Sequence, residues 1–235
     1  MGDVVARSQA LGYPICVIDD GSRDQTRAAA EAAGATVLRL PVNLGVGGAL
    51  RCGFRYALEA GHRIVVQIDG DGQHDPAEIP ALLETMRRSG ADMVIGSRFV
   101  APEPGYPVHR GRRLVMGMLA KRATAAVGSP ITDATSGFRA IRVPLLTFFA
   151  QDYPVEYLGD TFEALVAAGR RGAKVVEEPI NAVRRRHGRP SAGLVASGWY
   201  VLRVLTAASL IESRITHAPL DRNVEVSDLF AASDA

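Results

Sequence analysis

The feature that most restricts this chain is an alternation. Short β-branched runs at 15–18, 36–40, 63–68, 92–96 and 174–177 are separated by alanine-rich stretches of helical periodicity at 3–11, 24–34, 46–60, 76–89, 111–127, 161–171 and 194–211. Strand-sized and helix-sized segments taken in turn predict an α/β domain with a mostly parallel sheet and helices on both faces. Ligands in such a sheet belong at the carboxyl ends of the strands. Two helix starts are legible. Asp24 precedes a helix that Gly34 ends, and Asp75-Pro76 sets an N-cap before a proline, with Glu78 in the first turn. A chain of 235 residues, 47% hydrophobic, supports one substantial core. The predicted domain spans 1–218, and a polar tail, expected to be loosely held, spans 219–235.

Composition and patterning remove several classes. A formal charge of +2 gives no global case for nucleic-acid binding. Cys16 and Cys52 form no CxxC pattern and are read as reduced core residues of a cytoplasmic protein. No histidine–cysteine cluster has zinc spacing. His62, His109 and His217 lie in turn, loop and tail, and His74 is read as a turn residue. No signal peptide is visible, and the longest apolar stretch, 198–211, is interrupted by Arg203. That stretch is shorter than the roughly 20 residues a membrane-spanning helix needs. The segments 99–110 and 184–193 read as a proline-rich loop and a basic loop.

Two strands end in acids. The segment QIDGDGQHD (67–75) follows an apolar run and places Asp69 and Asp71 two residues apart. In extended backbone they point to one side. Two carboxylates about 4 Å apart repel by roughly 4 kcal/mol at an effective dielectric near 20. A resident cation or a shared proton relieves that cost, and all-oxygen ligands favour Mg²⁺ or Mn²⁺. Gln73 adds a neutral oxygen, and the glycines allow a diphosphate close to the backbone. The other acidic end, Asp19-Asp20-Gly21-Ser22, reads either as a turn and cap or as carboxylates for a base N–H and ribose hydroxyls. Asn43 to Ala49, NLGVGGA, lacks the Lys-Ser/Thr of a phosphate loop.

The ordered set VIDDGSRDQT, NLGVGGALRCGF, VVQIDGDGQHDP, MVIGSRF, ITDATSGFRAI and EEPINAVRRRHGRPS closely resembles the family 2 glycosyltransferases of GT-A fold over residues 3–193. The likeness is greatest to the polyprenyl-phosphate mannose and glucose synthases. It implies a metal-dependent, inverting hexosyl transfer from a UDP- or GDP-linked sugar to a polyprenyl phosphate or related acceptor. It implies that Asp69, Asp71 and Gln73 hold Mg²⁺ or Mn²⁺. Asp19, Asp20, Asp69, Arg139, Arg186, Arg189 and Ser191 would bind the nucleotide sugar, and Asp71, Arg98 and Asp133 would serve catalysis. Asp133 would position a lipid-phosphate acceptor, or act as base toward a hydroxyl.

Two departures stand out. The family opens with an apolar strand and a PALNE-like turn, whereas GDVVARSQALGYP begins inside the first helix. If Met1 is the true start, the neighbouring strands are left with unpaired backbone, and stability and donor binding are expected to suffer. Many relatives also carry membrane-spanning helices. Here 192–211, with Trp199 and Tyr200 beside the arginines of 184–189, reads as an interfacial helix at the inner face of the cell membrane, or as a packed helix or homodimer contact. The competing functions are a catalytically impaired remnant that binds a partner, and a nucleotidyltransferase. No residue separates UDP-glucose from GDP-mannose.

Overall fold

The computed structural model describes residues 1–100, 110–154, 160–181 and 219–220, with 110–114 and 160 described as backbone. In chain order the elements are α1 (Gly2–Gln9), β1 (Cys16–Asp19), α2 (Thr26–Ala32), β2 (Thr36–Arg39), α3 (Gly45–Glu59) and β3 (Ile64–Gln67). A 3₁₀ turn (Pro76–Glu78) then leads into α4 (Ile79–Ser89). The remainder is β4 (Met93–Ser97), α5 (Arg110–Val127), β5 (Arg139–Arg142), α6 (Leu145–Gln151), α7 (Asp160–Arg170) and β6 (Val175–Pro179).

The strands form two sheets. β1 pairs with β2 in parallel, Cys16 opposite Thr36. The second sheet has the order β3-β5-β4-β6. β5 runs antiparallel to both β3 and β4, and β6 runs parallel to β4. Thus β3, β4 and β6 share one direction and β5 alone opposes them, giving a mixed, mostly parallel sheet. Among the described residues no strand joins β1 to β3.

Period-two patterning sets the layers. On one face Val65, Met93, Ile95, Ile141 and Val175 pack beneath α3, α5, α6 and α7. On the other, Val66, Val94, Ala140 and Val176 pack against α4 through Ile79, Leu82 and Met86. β4 lies between two neighbours with helices above and below, so all five of its residues are buried. Phe54 of α3 meets Phe149 and Tyr153 at centroid distances of 6.3 and 5.6 Å. The smaller sheet has its own core, with Val5 of α1 and Ala30 of α2 against Val17.

Asp75 is the N-cap of its turn as the sequence implies, whereas α2 starts one residue later than expected, with Gln25 as an N-cap that makes no side-chain cap hydrogen bond. The Asp24 carboxylate accepts from the Thr26 N–H at 2.9 Å, and Asp75 accepts from the Ala77 N–H at 2.9 Å. Gly34 takes φ +87° after α2, a conformation that excludes most other residues. Three expectations need correction. The sequence reading contained neither β5 nor α6. Cys16, read as a core residue, is exposed at the first position of β1, although both cysteines are free. The start of the expected loose tail is pinned, since the Leu220 N–H donates to the Arg171 carbonyl at 3.0 Å and its side chain packs on the main core.

Candidate active site

The carboxyl ends of β3 and β4 lie at one edge, together with the loop 131–138 that leads into β5. β3 ends at Gln67, so Asp69 lies beyond the strand and Gly70-Asp71 form a turn. The extended geometry expected of the pair is therefore replaced by a bend. The Asp71 carboxylate stabilises that bend by accepting from the Gln73 N–H at 2.9 Å. The Asp69 side chain is 53% exposed. Its carboxylate rests against Gly137, where a Cβ would stand 2.9 and 3.1 Å from the two oxygens. A glycine at 137 thus makes the cradle in which Asp69 sits.

His74 lies beneath this pair, 5% exposed, with its ring stacked on Phe138 at 5.2 Å and 20°. Its Nδ1 is 3.8 Å from Asp69 Oδ2. Burial pushes the imidazole below its ordinary pKa, against the pull of the Asp69 carboxylate. Asp75 caps the following turn and pairs with Arg7 of α1.

Arg98 follows β4 and makes a two-pronged ion pair with Asp133, Nε to Oδ2 at 2.7 Å and Nη2 to Oδ1 at 2.8 Å. Its backbone N–H also donates to Oδ2, and Nη2 reaches Thr135. Asp133 is wholly buried and the Arg98 side chain 12% exposed. Removing one member of so buried a pair costs about 3–5 kcal/mol. Both Asp133 oxygens are engaged, an arrangement suited to orienting Arg98 rather than to taking a proton.

The loop carrying Asp133 is clamped from β6. Glu177 accepts from the Thr132 N–H and hydroxyl, at 2.9 and 2.7 Å, and from the Asp133 N–H at 2.7 Å. Burial raises the Glu177 pKa while these hydrogen bonds oppose the rise. Thr132 also bonds Ser97 at the end of β4, 2.8 Å apart. Sequence reasoning took Glu177 only as a strand residue. A charge within VVEEP, in a strand packed on both faces, was the available signal.

The remaining predicted residues divide. Arg139 is completely buried, with Nε donating to the Ser136 carbonyl at 2.9 Å and Nη2 to that of Ala134. It closes the 133–136 loop from within, which corrects the expectation of a direct nucleotide contact. Asp19 is buried, and its carboxylate accepts from the Ser22 N–H at 2.8 Å, which lowers its pKa. Asp20 ties β1 to the glycine-rich loop, its Oδ1 accepting from the Leu44 N–H and its carbonyl from Asn43 Nδ2. Arg186, Arg189 and Ser191 lie outside the described residues, as does the expected interfacial helix.

Among the described residues no three His, Cys, Asp or Glu side chains gather to enclose a metal ion. In phosphate sites Mg²⁺ is usually held by one or two carboxylates and completed by substrate phosphates. Asp69 is half-exposed in its glycine cradle, and Asp71, two residues on, accepts from the Gln73 N–H.

An α/β sheet with acids, an oriented arginine and a buried histidine along one carboxyl edge describes an enzyme that handles a phosphorylated ligand. Residues 4–148 match the family described as Glycosyl transferase family 2. The chain is 37% identical over 207 residues to the undecaprenyl-phosphate mannosyltransferase of Micrococcus luteus, covering 82% of this chain and 80% of that protein. It is 35% identical to the polyprenol monophosphomannose synthase of Mycolicibacterium smegmatis, covering 74% and 68%. Glucosyl-3-phosphoglycerate synthase of Mycobacterium tuberculosis, solved with Mn²⁺, uridine diphosphate and phosphoglyceric acid, superposes with TM-score 0.65 at 25% identity, covering 92% of this chain and 74% of that one. The chain belongs to glycosyl transferase family 2. Its fold is GT-A and its activity that of a glycosyltransferase. No described helix is long and apolar enough to cross a membrane.

Proposed function

We propose that this protein transfers a mannosyl group from a nucleotide sugar to a polyprenyl phosphate at a membrane surface, assisted by Mg²⁺ or Mn²⁺. The observation that carries the reading is the meeting of QIDGDGQHD and TSGF at one edge, with Gly137 shaped around the Asp69 carboxylate. The mannosyltransferase relatives supply the sugar and the lipid acceptor. In the reaction an acceptor phosphate oxygen attacks the anomeric carbon, the bond from that carbon to the diphosphate oxygen breaks, and the nucleoside diphosphate leaves with both electrons. A divalent cation, when bound, neutralises charge growing on that diphosphate. Asp69, Asp71 and Gln73 would hold it. Asp20 and the loop it anchors would face the nucleoside. Arg98, fixed by Asp133, would place its guanidinium toward phosphate oxygens, for which its planar fork is suited. An ionised acceptor phosphate needs no general base, in keeping with an Asp133 whose oxygens are both occupied.

The test supplies purified protein with radiolabelled GDP-mannose or UDP-glucose, Mn²⁺ or Mg²⁺, and undecaprenyl phosphate in detergent, with 3-phosphoglycerate as a competing acceptor. Metal-dependent label in the organic phase, greatest with GDP-mannose, is expected. Label only in phosphoglycerate would overturn the lipid acceptor. Calorimetry that shows no metal-dependent binding of either donor would favour a non-catalytic partner-binding role.

A further inference from the structure

The imidazole of His74 presents a problem in hydrogen bonding. Its Nδ1 is buried with no hydrogen-bond partner among the described residues. The nearest charged group is the Asp69 carboxylate, with Oδ2 3.8 Å away. The ring cannot turn aside, because Phe138 stacks on it at 5.2 Å with planes 20° apart. Gly137 lies close on another side of the carboxylate, with room for no more than a hydrogen there. Two groups held face to face this way are one small side-chain adjustment from a hydrogen bond. A lone pair on Nδ1 would meet the carboxylate lone pairs and repel them, whereas an N–H there would donate.

We propose that His74 is a positioning residue for Asp69. With its proton on Nδ1, it donates to Asp69 Oδ2 and fixes the carboxylate's orientation before the donor arrives. The imidazole touches neither the sugar nor the diphosphate and acts only through Asp69. A carboxylate–histidine pair behind a metal-binding oxygen orients that ligand. The proposal rests on the preceding reading only in giving Asp69 the role of metal ligand.

Two measurements test it. Long-range ¹H–¹⁵N spectra of protein labelled at its five histidines, with the His74 signals identified by their loss in His74→Phe, report the tautomer without any metal. The Nδ1-protonated pattern is expected, and the Nε2-protonated pattern would overturn the proposal. The second is Mn²⁺ binding, followed by electron paramagnetic resonance, in three variants. His74→Asn keeps an N–H near the Nδ1 position, His74→Gln moves it to the Nε2 position, and His74→Phe keeps the stack alone. About tenfold or greater weakening is expected for the Gln and Phe variants, with near-native affinity for Asn. Melting temperatures should place His74→Phe nearest the wild type, separating orientation from packing. Equal affinity in all three, or equal loss in all three, would overturn the proposal. If wild-type protein takes up no Mn²⁺, the metal reading of Asp69 falls, and the tautomer still decides the hydrogen bond.

Discussion

A side chain of one carbon decides how well the site can form. At Gly137 a Cβ would lie 2.9 Å from an Asp69 carboxylate oxygen, closer than such contacts allow. The neighbour is the end of a half-exposed side chain, so Gly137→Ala should fold normally and instead rotate Asp69 away. Because displacements near 1 Å can cost about 100-fold, kcat/KM should fall by about 10- to 100-fold with little change in melting temperature. Asp19 gives a second test, this one in pH. Its carboxylate, bonded by Ser22, has a folded-state pKa below the ordinary 3.8 of an aspartate. The unfolded chain therefore takes up the proton first on acidification, and the stabilisation is complete above that value. The stability gap between wild type and Asp19→Asn, followed by urea denaturation, should be constant near neutrality and shrink as pH falls below 3.8 toward the folded value.

Elements explain what could be read beforehand and what could not. The alternation of strands and helices and the cap at Asp75 were local patterns, and both are in place, whereas α2 takes Gln25 as its N-cap and Asp69 lies past the end of β3. β5 was illegible because RAIR shows only two apolar residues between arginines, with no periodicity to distinguish it from a surface turn. Its arginines are stored by tertiary contacts: Arg139 bonds carbonyls of the loop before it, and Arg142 bonds the Gly90 carbonyl and Asp92. The Arg98–Asp133 pair was equally hidden, since the partners are 35 positions apart and meet only once β6 clamps the loop through Glu177. Helix packing carries one sharp requirement. A Cβ at Gly169 of α7 would stand 2.5 Å from the Ala126 carbonyl oxygen of α5, and backbone cannot give way as a side-chain tip can. Gly169→Ala should therefore separate these helices and destabilise the fold by about 1–3 kcal/mol, read as a lower denaturation midpoint.

Across the whole molecule, stability is divided unequally. The β3–β6 sheet is buried between two helical layers, whereas β1–β2 rests on a small core around Val5, Val17 and Ala30. Native-state hydrogen exchange should accordingly find faster amides at 16–19 and 36–39 than at 93–97 and 139–142, since regions with less buried apolar contact open at lower free energy. Among the described residues, no strand pairs with one side of β1 or with one side of β3. On the second of these, Ile64 is 48% exposed. The consequence is colloidal: in concentrated solution such rims recruit strands from neighbouring molecules, so light scattering should begin at lower protein concentration in wild type than in Ile64→Lys, whose charge keeps the rims apart.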